Sequence, residues 1–149
     1  MTRILVVDDD KDQVKCMTKI LQSQGWEAGA AYDGADALLQ VKNSHWDVVV
    51  MDIRMPNQDG LTALKPMREL DANLPVILLT GDVERGDILA AYRAGAYECL
   101  LKPVDEAGLV KTIQQALNRP KPTWTRTAPG SAEEKRTSVN SKKGTKPLG

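Results

Sequence analysis

Asp47-Val48-Val49-Val50-Met51-Asp52 is apolar at four consecutive positions, β-branched at three of them and too short for a helix. Such a run has no polar face to turn to water, so it reads as a central strand of a parallel sheet covered on both sides. It ends on a carboxylate, Asp52, and Pro56, Asp59 and Gly60 follow at turn positions. Open α/β sheets bind ligands at the carboxyl ends of their strands, which makes Asp52 the candidate centre of chemistry.

Other runs repeat the pattern. Ile4-Leu5-Val6-Val7 leads into Asp8, Asp9 and Asp10, Val76-Ile77-Leu78-Leu79 into Thr80-Gly81, and Tyr97 to Leu101 into Lys102-Pro103. Glu27 to Tyr32 is a weaker strand of small residues. Between them apolar residues recur at helical spacing: Val14, Met17, Ile20 and Leu21 up to Gly25; Ala35, Leu38 and Leu39 behind an Asp33 cap; Leu61, Leu64 and Leu70; Ile88, Leu89 and Tyr92 up to Gly95; and Leu109, Ile113 and Leu117 between Asp105 and Asn118. Pro66 lies inside the third helix, where it removes a backbone hydrogen bond, so a kink or a late start is expected there. Five strands alternating with five helices predict a doubly wound parallel sheet with right-handed crossovers. Asp8, Asp9, Asp52, Thr80 and Lys102 then converge on one edge.

Composition bounds the alternatives. The chain has 149 residues, room for one domain with a core. No apolar run approaches the roughly 20 residues that span a bilayer, and the N-terminus has no secretory h-region, so a cytoplasmic protein without a membrane span is expected. Cys16 and Cys99 are far apart and form neither a disulfide framework nor a zinc motif. Residues 1–119 hold 13 Lys and Arg against 18 Asp and Glu, net −5, whereas 120–149 hold 7 against 2, net +5, with almost nothing to bury. The expected organisation is a folded domain over 1–119 and a basic, disordered tail or linker over 120–149.

Three carboxylates beside one lysine repel one another unless a cation intervenes. Every donor offered is oxygen, which suits Mg²⁺ better than zinc or copper. A phosphoryl group arriving there meets Lys102, the Thr80 hydroxyl and open space at Gly81, and a carboxylate can be its acceptor. Against this, an isolated strand-end Asp is more often a turn cap; the coincidence of five such residues at four strand ends reverses that preference. Asp10 and Asp12 read as first-turn helix charges, and His45 as a solvated residue at the amino end of the central strand. Trp26 and Trp46 are expected to pack at strand starts.

Val7-Asp8-Asp9, Met51-Asp52-Ile53-Arg54-Met55-Pro56 with Asp59-Gly60, Leu79-Thr80-Gly81, Gly95-Ala96 and Lys102-Pro103 together resemble the receiver domain of two-component response regulators over residues 1 to about 119. The resemblance implies a flavodoxin-like sheet of order 2-1-3-4-5 and an aspartate phosphorylated from a sensor histidine kinase or phosphotransfer protein. It implies Asp52 as phosphoacceptor, Mg²⁺ held by Asp9, Asp52 and the backbone carbonyl of Arg54 with Asp8 acting through water, Thr80 as switch hydroxyl, and Lys102 as phosphate partner before a cis Lys-Pro bond. Partner binding, or a homodimer through the fourth helix, fifth strand and last helix, would carry the output, with no direct DNA-binding domain in the chain. One position departs: three residues before Lys102 the family usually has Tyr or Phe, and this chain has Cys99. Tyr97, two residues earlier on the same expected face, could substitute or pack on the last helix. A Mg²⁺-dependent phosphohydrolase with an Asp nucleophile is an alternative, although such enzymes usually place a second Asp where this chain has Arg54. A degenerate receiver serving as a scaffold is another.

Overall fold

The computed structural model describes residues 1–55, 60–81 and 85–118, so Pro56, Asp59 and the 120–149 tail lie outside the described residues. The chain runs β1 (Arg3–Val7), α1 (Lys11–Ser23), β2 (Glu27–Ala31), α2 (Gly34–Asn43), β3 (Val48–Asp52), α3 (Gly60–Leu70), β4 (Val76–Thr80), α4 (Arg85–Arg93), β5 (Glu98–Leu101) and α5 (Glu106–Asn118). All strand pairs are parallel and the sheet order is β2-β1-β3-β4-β5, the expected doubly wound topology.

Alternation along the buried strands builds two cores. Leu5, Val7, Val49, Met51, Val76 and Leu78 face α2, α3 and α4, where Ala37, Ala63, Leu64, Met67 and Ala91 receive them. Ile4, Val6, Val48, Val50, Ile77 and Leu79 face α1 and α5, against Val14, Met17, Leu21, Leu109, Ile113 and Ala116. Because β3 and β4 are covered on both faces they are apolar at successive positions, as the central run requires.

Local signals account for the helix ends. The Asp10 side chain accepts from the amides of Asp12 and Gln13 and caps α1, and Asp33 does the same for α2 through the Asp36 amide. Gly25 at φ 85° and Gly95 at φ 101° follow α1 and α4 in the left-handed conformation that lets each chain turn into the next strand.

Three expectations are corrected. The third helix does not start late at Pro66 but runs through it from Gly60; packing of Ala63, Leu64 and Met67 into the core outweighs the missing donor. Leu39, Leu70, Leu89 and Tyr92 are exposed, and small residues such as Ala37 and Ala91 are the ones that seat α2 and α4 closely on the sheet. Tyr97 packs with Leu109 and Ile113 on the α5 side, while Cys99 joins the opposite core. Tyr97 precedes the first residue of β5, so strict alternation does not extend to it.

Candidate functional site

Asp52 is the last residue of β3, held between β1 and β4 by the pairings Val7–Met51 and Asp52–Leu79. Its neighbours at the carboxyl edge follow from the same register. Asp8 directly follows β1, and its amide donates to the Ala31 carbonyl at 3.1 Å. Thr80 ends β4 fully buried, and its carbonyl accepts from the Lys102 amide at 2.7 Å, which ties the end of β5 to the end of β4.

The side chains meet as this backbone dictates. Lys102 Nζ donates to Asp52 Oδ2 at 3.1 Å and stands 3.7 Å from Asp8 Oδ2. Carboxylate oxygens of Asp8, Asp9 and Asp52 lie within 4.8 Å of one another, with Asp9 exposed and the other two buried. The Arg54 amide donates to Asp52 Oδ1 at 3.3 Å, so the backbone just past the strand folds back on the acid. Lys102-Pro103 is cis.

Charge at this edge is poorly balanced. Asp8 is 1% exposed, and although its Oδ1 accepts from the Asp10 amide at 3.0 Å, its Oδ2 has no hydrogen-bond partner. Burial raises the Asp8 pKa above its ordinary value; the Asp10 amide and Lys102 oppose the rise, while Asp52 and Asp9 add to it. An orphaned buried carboxylate oxygen beside two more carboxylates fits a hard divalent cation with oxygen ligands. One lysine cannot neutralise three acids.

The structure brings Asp8, Asp9, Asp52 and Lys102 together, and Thr80 stands at the adjoining strand end. It keeps Asp10 and Asp12 out of the cluster, as cap and first-turn residue of α1. His45 lies at the opposite end of the sheet, exposed and 3.1 Å from Asp47. Trp46 packs at the start of β3 with its indole N–H donated to the Gln40 carbonyl.

One contact was not foreseen. The Tyr92 hydroxyl of α4 donates to Glu98 Oε2 at 3.0 Å and accepts from the Cys99 amide at 3.3 Å, so an aromatic from α4 reaches the strand position where the aromatic is missing. Burial of that hydroxyl, with the Glu98 charge beside it, raises its pKa above the ordinary tyrosine value. Helical spacing had assigned Tyr92 to the core, and no short-range signal links it to β5.

The model of the response regulator receiver domain matches residues 4–114. The regulatory protein AtoC of Escherichia coli is 40% identical over 117 residues, 78% of this chain and 25% of that protein. The transcriptional regulatory protein PrrA of Mycobacterium tuberculosis is 37% identical over 117 residues, 78% of this chain and 50% of that protein. A CheY-like receiver domain protein from Methanospirillum hungatei superposes with a TM-score of 0.77 at 27% identity over 79% of this chain and 94% of that one. The BeF3-activated DrrB receiver domain does so with a TM-score of 0.74 at 30% identity over 80% and 99%.

The chain spans a quarter to a half of the length of these curated relatives. Their names overturn one expectation. The expectation of no direct DNA-binding domain does not fit relatives that are named transcriptional regulatory proteins and extend well beyond the matched segment. Composition and motifs report only on the residues present, and the segment they match, residues 4–114, is the receiver. No helix among the described residues is long and apolar enough to cross a membrane. With its fold, its clustered strand-end acids and a family match over residues 4–114, the chain belongs to the response regulator receiver domain family, the phosphorylation-dependent switch of two-component signalling systems.

Proposed function

We propose that Asp52 is the phosphoacceptor of this receiver. An Asp52 carboxylate oxygen attacks the phosphorus of a phosphohistidine on a sensor histidine kinase or phosphotransfer protein; the new P–O bond forms as the P–N bond breaks, and its electron pair returns to the imidazole. The observation that carries this reading is the grouping of Lys102 Nζ 3.1 Å from Asp52 Oδ2 with the orphaned Oδ2 of Asp8 beside it. Lys102 exchanges its carboxylate contact for a phosphoryl oxygen, and Thr80, at the end of the neighbouring strand, offers its hydroxyl to another.

Asp9, Asp52 and the Arg54 backbone carbonyl would hold Mg²⁺, with Asp8 acting through water. Bound there, Mg²⁺ offsets the negative charge of the acids and of the incoming phosphoryl oxygens. Asp8 orients this set through its fixed Oδ1 contact with the Asp10 amide.

The phosphorylated state biases a pre-existing equilibrium of the carboxyl-edge loops, and loss of the aspartyl phosphate resets it. Self-phosphorylation and autodephosphorylation of Asp52 are then the only turnover, with no external substrate. The naming of the relatives as transcriptional regulators supports transcription as the process controlled. On this reading the domain is 1–119 with 120–149 as a basic tail or linker, and a cytoplasmic location is proposed with it; no helix among the described residues is long and apolar enough to cross a membrane. Incubation with phosphoramidate and Mg²⁺ should add one acid-stable, base-labile phosphate per chain and none to Asp52→Asn; labelling that persists in Asp52→Asn assigns the acceptor elsewhere.

A further inference from the structure

A Cβ added to Gly60 would stand 2.7 Å from the Asp52 carbonyl oxygen, 3.1 Å from Ile53 Cα and 3.3 Å from the Asp52 carbonyl carbon. All three are backbone atoms at the end of β3 and cannot swing aside as a side chain can. Gly60 is the buried first residue of α3, and its amide donates to the Ile53 carbonyl at 2.8 Å. The Ile53 amide in turn donates to the Leu79 carbonyl at 2.9 Å, one residue before Thr80. The start of α3 therefore rests on the peptide that carries the acceptor carboxylate and is bonded through it to the strand that carries Thr80.

We infer that Gly60 is a positioning residue for phosphoryl transfer: its bare Cα lets α3 seat on the Asp52 backbone and so sets where the Asp52 carboxylate points. This rests on Asp52 being the acceptor. Gly29 and Gly81 differ. The three atoms nearest to a Cβ at Gly29 all belong to the Trp46 side chain, Cη2 at 2.3 Å, and a Cβ at Gly81 would meet nothing within 4 Å. At position 60 the strand end itself has to give. A displacement of about 1 Å in a reacting group can cost on the order of 10²-fold in rate, and the contacts at stake are the 3.1 Å and 3.7 Å approaches of Lys102 to Asp52 and Asp8.

The test compares the full chain, Gly60→Ala and Ile113→Val, the last a core change on the α5 side chosen to lower stability without altering the Gly60 contact with the β3 backbone. Mg²⁺ affinity by calorimetry and the initial rate of labelling by phosphoramidate are both read, with thermal midpoints as the stability control. Gly60→Ala should bind Mg²⁺ at least tenfold more weakly and label at least tenfold more slowly, while Ile113→Val matches the parent in both. Parent-like affinity and rate in a folded Gly60→Ala overturn the inference, as does an equal loss in Ile113→Val. If the parent itself takes no phosphate, the acceptor assignment falls and the role in transfer with it; the Mg²⁺ titration still decides whether Gly60 places the carboxylates. Should Gly60→Ala not fold, hydrogen exchange of the Gly60 amide in the parent decides: Mg²⁺ should slow it at least tenfold through the 52–54 backbone, and an unchanged rate overturns the inference.

Discussion

At the amino end of the sheet Arg3 pairs with Glu27 at 3.2 Å and lies 4.2 Å from the Trp46 ring, while His45 faces Asp47 at 3.1 Å and Asp47 also accepts from the Arg3 amide at 2.8 Å. At the carboxyl end three carboxylates cluster, two of them, Asp8 and Asp52, against Lys102, and the most deeply buried, Asp8, keeps an oxygen without a hydrogen bond. Both ends close the same five strands, so the difference is not one of fold. Charges at the amino end offset each other near solvent and stabilise modestly; those at the carboxyl end are held in a costly arrangement that a bound cation would relieve. Unrelieved charge, rather than the mere presence of acids, separates a reactive edge from a structural one.

That contrast can be broken by mutation. Removing Lys102, the cation bonded to Asp52, should have the largest effect: Lys102→Ala should lower the phosphoramidate labelling rate by on the order of 10²-fold or more, while Arg3→Ala labels at the parent rate. Equal rates in the two variants would erase the distinction between the ends.

A stability measurement sharpens it. In the metal-free chain the folded-state pKa of Asp8 lies above its ordinary 3.8, so the folded protein holds that proton more tightly than the unfolded chain does. Asp8 therefore favours folding at acid pH, and this contribution is lost as pH rises from the ordinary value through the raised one. Asp8→Asn, which keeps an acceptor for the Asp10 amide, should thus be more stable than the parent by about 1 kcal/mol at pH 7 without Mg²⁺, with the gap closing toward pH 3 in urea titrations. A constant gap across that range would show that Asp8 is not strained by its charge.

The smallest change belongs to the amino end. Glu27→Gln should cost about 0.5 kcal/mol or less in urea unfolding, as expected of an exposed pair, with labelling unaltered. A loss of several kcal/mol there would mean that the paired end is not the bland one.

The parallel doubly wound sheet and the meeting of Asp8, Asp9, Asp52 and Lys102 were legible in the sequence because each apolar run is short and terminated by its polar residue, whereas the strand order rested on the family resemblance. A parallel sheet places such ends together whatever the loops do. Contacts that depend on reach were not legible. Tyr92 bonds to the Cys99 amide across a helix-to-strand turn, and Tyr97 leaves the face that alternation assigns it because β5 begins one residue later. Pro66 misleads because propensity is local, whereas α3 is held by Ala63, Leu64 and Met67 in the core. The seating of Gly60 on Asp52 needs coordinates, since nothing in an Asp-Gly pair says which backbone it will touch.

Urea unfolding at pH 7 with and without Mg²⁺, on the parent and on Asp9→Ala, tests most directly whether the carboxyl edge is a cation site. The exposed Asp9 can be removed with little effect on the core, and binding to the folded state alone adds about 2.7 kcal/mol at a hundredfold excess over Kd. The parent should gain stability with Mg²⁺ to that order and Asp9→Ala little or none. Equal gains in both chains, or none in the parent, would contradict the assignment of this edge.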